Sequence, residues 1–258
     1  MERLNGVSTG FRDLDKIMGG GLPIGELTII AGRPSAGKSA FMLNIAEYFA
    51  FNHKALQAAF FSLEMSKEAL CLRLLSFVRG VSGTHIRKNI FTDDDRIKLI
   101  AELEKVSANI HIDDDYKINV TNIAVRATKL QKELSEKNKA LGLIIIDYLQ
   151  IMKGGDGYST RTREMEDIVT ALKDLSRKLL VPIVLISQLS RYADKPKLSD
   201  LKEKYIQEAD NIIFIHIHRD SVNNPKSVTI TVAKQKHGDT GEFELNFNPE
   251  CVKFSNKD

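Results

Sequence analysis

The sequence predicts an α/β fold: a doubly wound, mainly parallel sheet with antiparallel strands added at one edge. Three observations carry that prediction. Short, wholly apolar runs of strand length alternate with amphipathic helical stretches between residues 26 and 187. The first of those runs, Leu27-Thr28-Ile29-Ile30-Ala31, opens into a glycine-bounded loop and then a helix. The runs also end in polar positions: that loop after the first, Glu64 after the second, Asp147 after a central one and Gln188 after the next. No linker-like shift in composition, internal repeat or low-complexity tract divides the chain, so residues 1–258 read as one domain.

Taken in order, Thr9 is placed to cap a short helix whose apolar positions are Phe11, Leu14, Ile17 and Met18. Gly19-Gly20-Gly21 ends it, and Pro23 and Gly25 turn the chain into the first strand. A helix begins near Lys38 and runs to about His53, followed by a strand at 58–63. Ser66 caps the next helix, with Leu70, Leu74, Leu75 and Val78 on one face. Residues 80–90 read as irregular, and Thr92 before Asp93-Asp94-Asp95 reads as a capped, acidic helix start. A short strand at 109–113 and a long amphipathic helix at about 121–139 follow. The most hydrophobic strand, 141–147, terminates in Asp147. Gly154-Gly155-Asp156-Gly157 opens a loop holding Arg161 and Arg163, and a helix covers about 163–180. Pro182 leads into the strand 183–187, which ends at Gln188. A lysine-rich polar segment spans 191–204, and strands at 211–218, 228–233 and 243–247 complete the chain as the antiparallel edge.

Composition narrows the function classes. An apolar fraction of 43% supports a sizeable core, and no apolar run approaches the length of a membrane span. Net charge is only +3, so affinity for nucleic acid would have to be local or summed over copies in an oligomer. Cys71 and Cys251 have no partner at metal-ligand spacing and read as reduced thiols of a cytoplasmic protein.

The loop after the first strand is Gly32-Arg33-Pro34-Ser35-Ala36-Gly37-Lys38-Ser39, the phosphate-loop pattern G-x-x-x-x-G-K-[ST] in its strand–loop–helix context. Glycines let the backbone turn N–H groups onto phosphate oxygens, and the following helix adds the positive end of its dipole. Lys38 can reach the β- and γ-phosphates, and the Ser39 hydroxyl can ligate Mg²⁺. Residues 32–39 and the following Ala40 are therefore the candidate nucleotide-binding set. In an open parallel sheet ligands sit at the carboxyl ends of the strands, where the remaining candidates fall. Asp147 reads as a second Mg²⁺ carboxylate acting through water. Glu64 is the candidate base that orients water for attack on the γ-phosphate, and Gln188 could report that phosphate to neighbouring loops. His216 and His218 alternate on a strand and lack a third ligand, which favours a structural role over a metal site. Arg161, Arg163, Arg191, Lys195, Lys197, Lys202 and Lys204 are basic candidates for nucleic-acid phosphate contact. Aromatic residues are sparse near them, which argues against base stacking.

These segments resemble the ATPase domain of the bacterial replicative helicase (DnaB) family, which has a RecA-like fold. The resemblance rests on the phosphate loop, on Phe61-Ser62-Leu63-Glu64-Met65-Ser66, on Ile146-Asp147-Tyr148-Leu149-Gln150 and on Ser187-Gln188-Leu189-Ser190-Arg191. Gly6-Val7-Ser8-Thr9-Gly10-Phe11, Leu198-Ser199-Asp200-Leu201 and Ala233-Lys234-Gln235-Lys236 extend it over nearly the whole chain in the family's order. It implies a homo-hexameric ring that hydrolyses ATP with Mg²⁺ between subunits and moves along single-stranded DNA. Glu64 matches the catalytic glutamate, Asp147 the Mg²⁺ carboxylate and Gln188 the sensor glutamine. Lys202, Glu203 and Lys204 match the DNA-contacting loop, and Lys234 and Lys236 the element that reaches the neighbouring subunit's site. Lys236 stands where the family usually has arginine. The family's N-terminal domain and linker helix have no counterpart in these residues, so primase and helicase-loader contacts, known for the full-length family, are expected less directly. Two other readings stand beside this one: a RecA-like DNA-dependent ATPase of recombination or repair, and a nucleotide-switched assembly module that does not unwind DNA.

Overall fold

Gly6–Val7 (β1) and Leu22–Pro23 (β2) pair antiparallel around a short helix, Arg12–Ile17 (α1). After this ribbon the chain alternates as the sequence predicts: β3 (Leu27–Gly32), α2 (Lys38–Asn52), β4 (Leu56–Ser62), α3 (Lys67–Arg79) and β5 (Ile110–Asp113). α4 (Val120–Glu136), β6 (Ala140–Asp147), α5 (Arg161–Leu179) and β7 (Ile183–Gln188) continue the pattern. A single 3-10 turn (Leu198–Asp200) and α6 (Glu203–Glu208) precede β8 (Asn211–Arg219), β9 (Pro225–Lys234), β10 (Gly241–Asn248) and β11 (Lys253–Asn256). The computed structural model describes residues 6–79, 100–101, 104–155, 157–190, 195–219 and 225–257. The acidic helix start expected at 92–95 lies outside the described residues.

β3 to β11 form one nine-stranded sheet in the order β11-β10-β9-β8-β3-β7-β6-β4-β5. β5, β4, β6, β7, β3 and β8 are parallel, and β9, β10 and β11 add antiparallel at one edge. The antiparallel edge therefore begins one strand later than expected, because β8 runs parallel to β3 with Ile29 against Ile212. Strand alternation in a sequence carries no information on direction, so 211–218 reads the same either way.

Core residues segregate by the period of the strand. Leu143 and Ile145 of β6 pack toward α2 and α3, whereas Ile144 and Ile146 pack toward α4 and α5. Each is fully hidden, worth about 1.5–3 kcal/mol of burial per side chain. α2 is buried almost all round, from Ala40 to Ala50. It is wedged between the sheet, α3 and β11, so the loop that precedes it is anchored at both ends. Asn119 and Thr160 cap α4 and α5 by accepting the N–H groups of Asn122 and Arg163, as capping rules require. Ser66 likewise accepts the Ala69 N–H ahead of α3 (3.3 Å). Thr9 is not the cap of α1: that position is Phe11, with no side-chain cap bond. The Thr9 hydroxyl instead accepts from Phe11 N–H and donates to Asp15, which ties the turn to the helix. No helix among the described residues is long and apolar enough to cross a membrane.

Candidate active site

The phosphate loop closes because two glycines are in places where nothing larger fits. A Cβ on Gly32 would sit 2.8 Å from the carbonyl oxygen of Ile215 on β8. Gly37 has φ 76°, and a Cβ there would meet the Phe254 ring at 2.8 Å. Gly37 is also the N-cap of α2, and α2 has neither a side-chain cap bond nor an acid in its first turn. Its first N–H groups are thus not claimed by a capping side chain, the arrangement that suits an anion.

Lys38 is 9% exposed, and its Nζ donates to the Arg33 carbonyl at 2.7 Å. Burial lowers its pKa to about 8, against the opposing attraction of Asp147 and Glu64. Asp147, 1% exposed at the end of β6, shows the mirror image. Burial raises its pKa, although Ser39 donates a hydrogen bond to it, and the charge of Glu64 pushes the same way as burial. One of its oxygens, Oδ2, is buried with no hydrogen-bond partner. An orphaned carboxylate oxygen beside a serine hydroxyl is a donor set that fits Mg²⁺, which prefers hard oxygen ligands.

Glu64 is presented by a tight turn after β4. Ser62 Oγ donates to the Met65 carbonyl (2.7 Å) and accepts the Met65 N–H, while Leu63 N–H donates to the Asp147 carbonyl (2.8 Å). That last bond locks the ends of β4 and β6 together, so both carboxylates sit on one rim. Lys38, Ser39, Glu64, Asp147 and Gln188 line one cleft of ≈ 690 Å³, together with Arg73, Tyr148 and a wall from Phe247, Pro249 and Val252. A larger cavity, ≈ 1380 Å³, lies beneath the β9–β10 turn and holds none of these residues. The chemistry collects in the smaller one.

Several site residues escaped the sequence. Arg73 is on the exposed side of α3, and only the packing of α3 on α2 brings it to the cleft. Phe254 belongs to a four-residue strand that the pattern does not distinguish from a loop; it stacks edge-on with Phe41 and supports Gly37. Gln150 follows a strand end and bonds to Ser187 and Gln188 across the sheet. A glutamine two residues past an Asp-Tyr pair was the available signal, but its partner was not.

The basic candidates are arranged differently from the expectation. Arg161 and Arg163 are not in a loop; they are in the first turn of α5. The Arg161 guanidinium turns inward, donating to the carbonyls of Gln150 (2.9 Å) and Met152 (2.5 Å) and pairing with Glu164 (2.6 Å). These contacts hold Arg161 against the turn after β6, while its side chain keeps 40% exposure. Arg163 is exposed. Lys202, Glu203 and Lys204 begin α6 instead of forming a loop: Lys202 is the N-cap, and Lys204 pairs with Glu208 one turn on (2.8 Å). Tyr205 is buried behind them, and burial pushes its hydroxyl up to about 12. Lys195 pairs with Glu242 (2.5 Å), Lys197 N-caps the 3-10 turn, and Arg191 lies outside the described residues.

Lys234 is committed to its own subunit. Its Nζ donates to the carbonyls of Ile206 (2.5 Å), Ala209 (2.6 Å) and Gln207 (3.4 Å), and so closes the end of α6. Lys236 extends further, 44% exposed, and leans on Asp210 at 3.4 Å. His216 and His218 stack edge to face at 4.5 Å, and His218 shares a hydrogen bond with Thr229 (2.7 Å). No group of three or more His, Cys, Asp or Glu side chains placed to hold a metal ion occurs among the described residues.

Residues 6–256 match the model of the DnaB-like helicase C-terminal domain. The chain belongs to that family. This DnaB-like domain is 37% identical over 98% of its length to the replicative DNA helicase DnaB of Geobacillus stearothermophilus. It is 36% identical to the replicative DNA helicase DnaC of Bacillus subtilis. It spans 57% of the length of each of these relatives. Among solved structures, an ATPase domain superposes with TM-score 0.87 at 30% identity, covering 99% of this chain and 92% of its own. A DnaB-like replicative helicase, described with its interactions with primase, gives the same TM-score over 62% of its length. The RecA-like architecture expected from the sequence is that of these neighbours.

Proposed function

We propose that this DnaB-like domain is the ATP-hydrolysing motor of a replicative DNA helicase, working in a ring of six copies on single-stranded DNA. The observation that carries the proposal is the meeting of Lys38, Ser39, Glu64, Asp147 and Gln188 around one cleft at the carboxyl ends of β3, β4, β6 and β7. The backbone of the phosphate loop and the free end of α2 receive the phosphates. Lys38, close to its titration point, gains its proton fully when a phosphate replaces the lost water. Ser39 and Asp147 would hold Mg²⁺, which when bound offsets charge on the transferred phosphoryl group. Glu64 is exposed at the cleft and oriented by the Ser62 turn, so it can hold and deprotonate an attacking water. Gln188 addresses the γ-phosphate side through its amide.

Lys236 is the residue that would complete a neighbouring subunit's site, since Lys234 is occupied by α6. As a compact charge it lacks the fork of arginine. For DNA, Arg163, Lys202 and Lys204 are the proposed phosphate contacts, at the starts of the mutually packed helices α5 and α6. A primase is a further proposed partner, on the strength of the relative described with one.

The test is ATP turnover with and without single-stranded DNA, together with strand separation on a forked duplex. DNA-stimulated turnover with unwinding is the expected result. Stimulation without unwinding would point to a repair-type ATPase, and ATP binding without any response to DNA would sink the motor reading in favour of an assembly switch.

A further inference from the structure

Gln150 substitutes for a missing strand. The β6–β7 ladder stops at Ile146 opposite Leu185. One further main-chain bond follows, from Leu149 N–H to the Ile186 carbonyl (2.9 Å). Beyond it, Gln188 keeps β3 on one side, where it pairs with Gly32. On the other side it meets a side chain. Gln150 Oε1 accepts the Gln188 N–H (3.0 Å), and Gln150 Nε2 donates to the Gln188 carbonyl (3.1 Å) and to Ser187 Oγ (3.0 Å). A carboxamide is suited to this because it donates and accepts from one planar end, as a peptide group does.

Gln150 is itself tied down. Arg161 donates to the Gln150 and Met152 carbonyls and pairs with Glu164, whose other oxygen accepts the Gly154 N–H (2.8 Å). The chain of bonds runs from the cleft to the start of α5 without a gap.

We propose that Gln150 is a positioning residue: it fixes the main chain of Gln188 so that the Gln188 amide is aimed into the nucleotide cleft, with Arg161 bracing Gln150 from behind. The proposal rests on the reading that Gln188 faces the γ-phosphate. Glutamate at position 150 would keep the acceptor but lose both donated bonds, and alanine would lose all of them. Neither change touches the phosphate loop.

Two measurements test it. Amide hydrogen exchange reads the clamp without any activity. In Gln150→Ala the Gln188 amide should exchange about tenfold faster or more, while those of Leu185 and Ile186 keep their rates. Unchanged exchange at Gln188 would overturn the clamp outright. Steady-state ATP turnover with single-stranded DNA reads its purpose. Gln150→Ala should lower kcat by about tenfold or more with KM little changed. Gln150→Glu should fall between alanine and the parent. The double variant Gln150→Ala/Gln188→Ala should be no slower than Gln188→Ala alone. Multiplying effects in the double variant would show that Gln150 acts by another route and overturn the proposal. A parent protein that hydrolyses no ATP would refute the motor reading instead, leaving exchange at Gln188 to decide the clamp.

Discussion

At the carboxyl ends of the central strands, Lys38 and Asp147 are hidden at 9% and 1% exposure; at the amino ends, Lys173 and Asp210 are hidden at 6% and 3%. Both pairs bury a cation and a carboxylate, yet only one is saturated. Lys173 forms an ion pair with Asp210 and donates to the Glu208 carbonyl (3.1 Å), and Asp210 also accepts the Leu27 N–H (3.0 Å) and faces Lys236. Burial alone would raise the pKa of Asp210; these partners outweigh it, and the net shift is downward. Lys38 has one carbonyl partner, and Asp147 keeps a bare oxygen; the lysine is shifted down and the carboxylate up. The difference separates a brace from a receptor. Groups left short of partners in the folded protein are the ones a ligand can satisfy.

The largest expected effect comes from removing the receptor's chemistry. Glu64→Gln should cut ATP turnover by about 10²–10⁴ while nucleotide affinity stays within a few-fold. Normal turnover in that variant would end its assignment as base.

Next in size is the brace. Asp210→Asn leaves the Lys173 charge buried and should cost about 3–5 kcal/mol, read from the denaturant midpoint. Asp147→Asn should be neutral or stabilising by about 1 kcal/mol, because the native carboxylate is desolvated and half-paired. Equal losses for the two would erase the contrast. The pH dependences oppose as well. The Asp210 contribution is complete above the unfolded carboxylate pKa and fades as pH falls through its lowered folded value. Asp147, shifted up, makes stability decline as pH rises from the unfolded toward the folded value.

A smaller effect is expected at the exposed end of the brace. Lys236→Ala should reduce turnover, by about tenfold, only at concentrations where subunits associate. An equal loss in dilute protein would refute action across an interface. Smallest is the response of Lys38 to pH. With a pKa of about 8 in the ligand-free protein, it binds nucleotide with proton uptake above that value. Affinity should then weaken by about twofold between pH 7 and 8 and by up to about tenfold per pH unit well above 8, measured by fluorescent-nucleotide titration.

Much of the receptor was legible in the sequence because it is local or falls at strand ends. Residues 32–39 form one continuous motif, and Glu64, Asp147 and Gln188 are marked by the apolar runs that precede them. The brace was not legible, because its members come from α5, the end of α6, the residue before β8 and the residues just after β9, and meet only through the sheet order. Lys234 and Lys236, two residues apart, look interchangeable along the chain, yet one closes a helix and the other points outward. Arg161 reads as a loop residue near glycines, and its bonds to the carbonyls of Gln150 and Met152 are invisible in the sequence because they depend on how the turn after β6 folds back on α5.

The contact between Phe254 and Gly37 has a consequence for synthesis. When synthesis has reached Asp200, the whole phosphate loop has been made, but neither Ile215, which walls Gly32, nor Phe254, which walls Gly37, exists yet. Asn44, on α2, also waits for the N–H of Phe254 to bond it (2.8 Å). The nucleotide motif is therefore made well before the residues that wall it, and the loop gains its full set of walls only once β11 has been made.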